Sequence, residues 1–154
     1  MAGAATYLVV IDDSPESRVA MRFAVLRATR VAADVTLASV VSVGEFLQFG
    51  AVQSAMLAQA REEALALLGA IAAEAEALSG RRPLTLVLDG EPAAAVQAHV
   101  ASNPGIRALV LGTPASGGPG PLVGHFTGER AGSLPCIVML VPGGLSDERV
   151  ATLA

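Results

Sequence analysis

LVLGTPASGGPGPLVGHFTGERAGSLPCIVMLVP, residues 109–142, is the stretch on which the fold turns. An apolar strand-like run opens it, a loop rich in glycine and proline follows, then a short helical-looking segment and a second apolar run. Apolar strands at both ends of such a loop point to the phosphate loop of a nucleotide fold, although several residues expected there are missing.

Working outward, Tyr7-Leu8-Val9-Val10-Ile11 is a continuous β-rich run that stops at Asp12-Asp13-Ser14-Pro15, as a strand buried on both faces does before a helix. Ser14 reads as an N-cap and Pro15 suits the first helical position. Glu16 favours the positive end of the helix dipole, and Val19, Phe23 and Leu26 recur at helical spacing, which predicts a helix to about Ala32. A second strand is expected from Val35 to Val41. The segment from Ser42 to Ser54 has no clear period, contains Gly44 and Gly50, and reads as a flexible connection. Ala64, Leu67, Leu68, Ile71, Ala75 and Leu78 then mark one face of a long helix, ended by the Gly80 to Pro83 segment. Leu84-Thr85-Leu86-Val87-Leu88 is a third strand, and Asp89-Gly90-Glu91-Pro92 turns into a third helix that ends near Pro104-Gly105. Strands four and five are expected from Ile106 to Leu111 and from Ile137 to Val141. This β-α alternation is that of a parallel sheet covered by helices, without internal repeats.

Composition bounds the function. With 154 residues, 53% of them hydrophobic, the chain has enough material for one core and reads as one domain over residues 1–154, a core at about 7–142 and a short tail at 143–154. A net charge of −4 offers no basic patch, so nucleic acid is not an expected partner. The most apolar helix-like run, from Ala64 to Ala73, falls well short of the roughly 20 residues a membrane span requires. A soluble chain is expected. Met1-Ala2-Gly3-Ala4-Ala5 shows no basic region or long apolar run, so a cytoplasmic location follows as an expectation. One cysteine, Cys136, and two histidines, His99 and His125, assemble no familiar metal-ligand spacing.

Val10-Ile11-Asp12-Asp13-Ser14, Gly90-Glu91-Pro92, Val110-Leu111-Gly112 and Leu134-Pro135-Cys136-Ile137-Val138, in this order and spacing, resemble the universal stress protein family from about Tyr7 to Pro142. The resemblance implies a single-domain, Rossmann-like, adenine-nucleotide-hydrolase-like three-layer α/β sandwich. Its parallel sheet would have five strands in order 3-2-1-4-5, with dimerisation through the last strand and a role in stress survival or signalling. Many relatives bind ATP and others do not. Those that do are similar to one another in a Gly-x2-Gly-x9-Gly-Ser/Thr pattern whose backbone N–H groups and hydroxyl hold phosphates. Here Gly112 matches the first glycine, Ala115 replaces the second, Gly124 comes one residue early, and His125 stands in place of the hydroxyl residue.

In such a fold the ligand crevice lies beyond the carboxyl ends of the strands, where the strand order reverses. That rule gathers Asp12, Asp13, the end of strand two near Val40, and the loop after Gly112. Asp12 stands where ATP-binding relatives place an aspartate near the nucleoside, and it equally suits capping of the following helix. Val40 either flanks a purine ring or belongs to the core. Gly117, Gly118 and Gly120, with Gly112 and Gly124, form either a backbone anion nest or a surface connection. His125 either donates to a phosphate or faces solvent or a second subunit. No Gly-x4-Gly-Lys-Ser/Thr loop and no Gly-x-Ser-x-Gly elbow is present, and the chain has no lysine. Ser14, Ser116 and Ser133 have no adjacent base to make them nucleophiles, and Arg18 and Arg22 read as a solvated helix face.

The leading expectation is therefore a homodimeric regulatory or binding module without efficient catalysis, engaging an unidentified protein partner. The alternative is an adenine-nucleotide-binding protein with weak ATPase activity through the loop from Gly112 to Gly124. ATP with magnesium is the one cofactor the resemblance admits, and none is demanded.

Overall fold

The computed structural model describes residues 5–42, 51–128 and 130–154. The residues before Ala5 and positions 43–50, which make up most of the expected connection from Ser42 to Ser54, lie outside them.

Alternation within strand β1 (Thr6–Val10) organises the layers. Tyr7, Val9 and, just beyond the strand, Ile11 pack on one face, whereas Leu8 and Val10 pack on the other. Strand β4 (Ile106–Thr113) repeats this, with Ala108 and Val110 on the first face and Leu109 and Leu111 on the second. A strand so buried on both sides has no polar face, which explains the unbroken apolar runs. β2 (Asp34–Val41), β3 (Leu84–Asp89) and β5 (Ile137–Pro142) complete a parallel sheet in the order β3-β2-β1-β4-β5. The expected five-stranded order 3-2-1-4-5 is thus present.

Right-handed crossovers dictate where the helices lie. The chain steps outward from β1 to β2 to β3, then returns across the sheet to β4 and β5, so the two sets of crossover helices cover opposite faces. α1 (Pro15–Val31) and α2 (Ala51–Ser79) pack on the Val9 face through Ala20, Met21, Ala24, Leu68, Ile71 and Ala75. α3 (Pro92–Ser102) and α4 (Pro121–Thr127) cover the Leu8 face with Val96, Val100, Val123 and Phe126.

Local signals place most helix ends. The Ser14 hydroxyl accepts the Ser17 N–H at 3.3 Å, Pro15 follows at the first position, and Ala32 closes α1 in the left-handed conformation at φ 55°. Glu91 caps α3, accepting from the N–H groups of Ala93 at 3.2 Å and Ala94 at 2.8 Å.

Three expectations need correction. Residues 51–54, assigned by sequence to a connection, belong to α2. Alanine and glutamine there suit a helix by propensity, and Ala51-Val52-Gln53-Ser54 is too short and mixed to show an apolar period. The stretch 143–154 is more than a tail, because α5 (Asp147–Leu153) buries Val150 and Ala154 beside α1. Finally, Arg18 and Arg22 are not merely solvated: Arg18 pairs with Glu74 at 3.5 Å and Arg22 with Asp147 at 2.8 Å.

Candidate functional site

Between β1 and β4 the helices that follow the two strands leave toward opposite faces, which opens a crevice at the strands' carboxyl ends. Its floor is a stiff turn. The Ile11 N–H donates to Ala38 O at 2.7 Å, and the buried Ser39 hydroxyl donates to Ile11 O at 2.8 Å. The Ser17 hydroxyl, also buried, lies 2.9 Å from Asp12 O and 3.0 Å from Ser14 O and accepts the Asp12 N–H at 3.4 Å. Asp12 Oδ1 in turn accepts the Ser14 N–H at 2.9 Å and the Ser14 hydroxyl. This is an Asx turn, so one oxygen of Asp12 performs the local capping work that aspartate commonly does there.

Two adjoining cavities share Ile11, Asp12, Val40 and Pro92. The first, about 220 Å³, runs from these residues across Leu111 and Gly112 to Gly120, Leu122 and Val123, with Glu16 at its rim. The second, about 530 Å³, lies between the end of β2 and α2, where Asp13, Ser39, Glu63, Ala64 and Leu67 line it. Val40 and Pro92 give both cavities apolar surface beside the Asp12 carboxylate. A separate cleft of about 260 Å³ sits at the opposite, amino ends of β2 and β3, where its Arg81 and Asp34 side chains are paired with each other.

Asp12, Val40, Gly112 and Gly120 thus come together, and Asp13 joins them through the second cavity. The other candidates stand apart. Gly117, at φ +89°, needs to be glycine for backbone reasons, and it and Gly118 are exposed outside the cavity lining. Gly124 lies within α4, its N–H given to Gly120 O at 3.0 Å. The His125 ring turns toward α3, with Nε2 3.4 Å from Gln97 Oε1. Gly112 has a steric duty: a Cβ there would lie 2.5 Å from the Glu16 carbonyl carbon, so only glycine lets the first turn of α1 approach β4 this closely.

Pro92, Glu16 and Glu63 line the crevice without having been singled out in the sequence. Pro92 was legible only as a helix start and Glu16 only as a charge favouring the helix dipole, while Glu63 lies off the apolar face read for the long helix. Ser39 did carry a signal, as a polar residue inside an apolar strand.

Elsewhere, hydrogen bonds from the Ala94 and then the Ala93 N–H hold the Glu91 carboxyl below the usual carboxylate range, with a smaller contribution from nearby His125. Burial lowers the His99 imidazole and raises the Cys136 thiol, the latter partly offset by a hydrogen bond with the Leu109 backbone. Among the described residues no helix is long and apolar enough to cross a membrane, and no three His, Cys, Asp or Glu side chains cluster as metal ligands.

Comparison with known proteins agrees with this geometry. A family model described as the universal stress protein family matches residues 6–142. The universal stress protein UspA from Lactobacillus plantarum superposes with a TM-score of 0.74 at 25% identity, over 92% of this chain and 99% of that one. A universal stress family protein from Burkholderia pseudomallei gives a TM-score of 0.68 at 21% identity, over 90% and 96% of the two chains. A universal stress protein solved in complex with cAMP shares the fold with a TM-score of 0.64 at 18% identity, over 92% and 98%. No curated protein matches the chain in sequence.

Proposed function

The chain belongs to the universal stress protein family, and from that premise we propose that it is a stress-response binding module whose crevice receives an adenine nucleotide. The observation carrying this reading is the convergence of Asp12, Val40, Pro92 and Gly120 at the reversal of strand order. Apolar surface beside a carboxylate suits a purine nucleoside: the ring stacks on aliphatic surface, and a carboxylate accepts from ribose hydroxyls or an exocyclic amine. That a universal stress protein of the same fold has been solved with cAMP supports the same class of ligand.

Regulation rather than turnover fits the groups at hand. The Ser14 hydroxyl, the one hydroxyl bonded to Asp12, is spent on capping α1, where it accepts the Ser17 N–H, and His125 faces Gln97 and supplies it no imidazole base. The weak-ATPase alternative draws less support, because the Gly124 amide is already committed within α4. Magnesium, if carried by ATP, would be held chiefly by the nucleotide's own phosphates, since no described cluster of carboxylates forms a protein cage for it.

We also propose that residues 1–154 act as one domain and that two chains associate through β5. That edge strand exposes Ile137 and Leu140, and no charged side chain occurs from Ala131 to Ser146. The other edge, β3, is preceded by Arg81, Arg82 and Pro83, residues that blunt an edge against pairing.

Isothermal titration with adenosine, cyclic AMP, AMP, ADP and ATP tests the binding reading. Saturable binding that weakens at least tenfold in Asp12→Ala is expected. Absence of heat throughout, with an unchanged melting temperature, would overturn it.

A further inference from the structure

We propose that the crevice is an electrostatic filter, admitting adenosine or a nucleotide with no more than one phosphate in preference to ADP or ATP. This inference rests on the nucleotide reading above and concerns which member of that class the site selects.

Every charged side chain lining the two cavities is acidic. Asp12 and Glu16 belong to the first cavity, Asp12, Asp13 and Glu63 to the second, and among the described residues no arginine or histidine lines either. The chain has no lysine to compensate, and positions 43–50 and 129 contain no basic residue. Nor is a neighbouring cation free to turn inward: Arg61, two residues from Glu63, is bound to Asp89 through both Nε, at 3.2 Å, and an Nη nitrogen. The other described ion pairs use Glu74, Asp147 and Asp34, so the four crevice carboxylates have no basic side chain against them.

Polyphosphate recognition ordinarily supplies what is missing here, namely basic side chains and a run of unbonded backbone amides. The loop offers few of the latter at the cavity wall. Pro114 and Pro121 have no N–H, Gly117 and Gly118 stand outside the lining, and the Gly124 amide is hydrogen-bonded to Gly120, which leaves the amides of Gly120, Leu122 and Val123 at the start of α4 to meet a single phosphate. Each added phosphate therefore brings negative charge toward like charge. Like charges repel there through a dielectric between those of protein and water, and the expected cost is roughly tenfold in affinity over two added phosphates.

The test is titration of the full chain with adenosine, AMP, ADP and ATP in EDTA, at low and high sodium chloride. Adenosine should bind most tightly and ATP least, and salt should narrow the gap by screening repulsion. A basic phosphate site has the opposite sign, because salt weakens ATP there. The Asp13→Asn/Glu63→Gln double variant, its folding checked by melting, should narrow the ratio of ATP to adenosine affinity several-fold. ATP binding as tightly as adenosine without a metal, or weakening with salt, would overturn the filter while leaving the nucleotide reading intact. No binding by any of the four would overturn both.

Discussion

A Cβ on Gly112 would lie 2.5 Å from the Glu16 carbonyl carbon, while one on Gly124 would meet nothing within 4 Å. Both positions count as glycines of a phosphate motif in the sequence, yet the structure gives them different constraints. Gly112→Ala is expected to lower unfolding free energy by about 1–3 kcal/mol, since backbone must shift. Gly124→Ala, in a helix with open space, is expected to raise it by up to about 1 kcal/mol. Urea unfolding of both variants measures the difference in sign. Glu91 supplies a second prediction at this scale. Its folded carboxyl titrates below the usual range because it accepts the Ala94 and Ala93 N–H groups. The resulting stabilisation is present above the unfolded carboxylate pKa and is lost as pH falls toward the folded one. Melting temperature plotted against pH should therefore fall less steeply on the acid side in Glu91→Gln than in the parent chain.

At the scale of elements, α5 shows how seven residues become structural without a legible pattern. Val150 is 1% exposed, and Arg30 donates to the carbonyls of Ala151 at 2.9 Å and Ala154 at 2.8 Å, tying the C-terminal turn to α1. Val150→Ala is expected to cost about 1–3 kcal/mol in chemical denaturation. Asp147→Asn, which breaks a largely exposed pair with Arg22, should cost less than about 1 kcal/mol. Strands and helix starts were readable because continuous apolar runs, the Ser14-Pro15 cap and the first-turn Pro92 act locally, whereas the capping by Glu91 came from the structure. The early start of α2 was not, because its alanine-rich sequence carries little periodicity, and the docking of α5 was not, because its partner α1 lies far away in the chain.

For the whole molecule, the uncovered β5 edge leads to a measurable expectation. Sedimentation velocity at micromolar concentration should show two associated chains, and Ile137→Asp should shift them to monomer by placing a charge on the strand's most exposed apolar residue. A monomeric parent chain would remove the proposed interface. The sequence by itself determined the layered parallel fold, since strands buried on both faces must be apolar throughout and proline-led caps mark where helices begin. It also placed Asp12, Asp13 and Val40 near the crevice, because strand ends follow directly from the strand pattern. Only the tertiary structure decided that Glu16, Glu63 and Pro92 join them, that Gly112 serves helix approach, and that His125 turns toward α3. Those outcomes depend on how helices separated along the chain pack across the sheet, a three-dimensional constraint that no local residue pattern records.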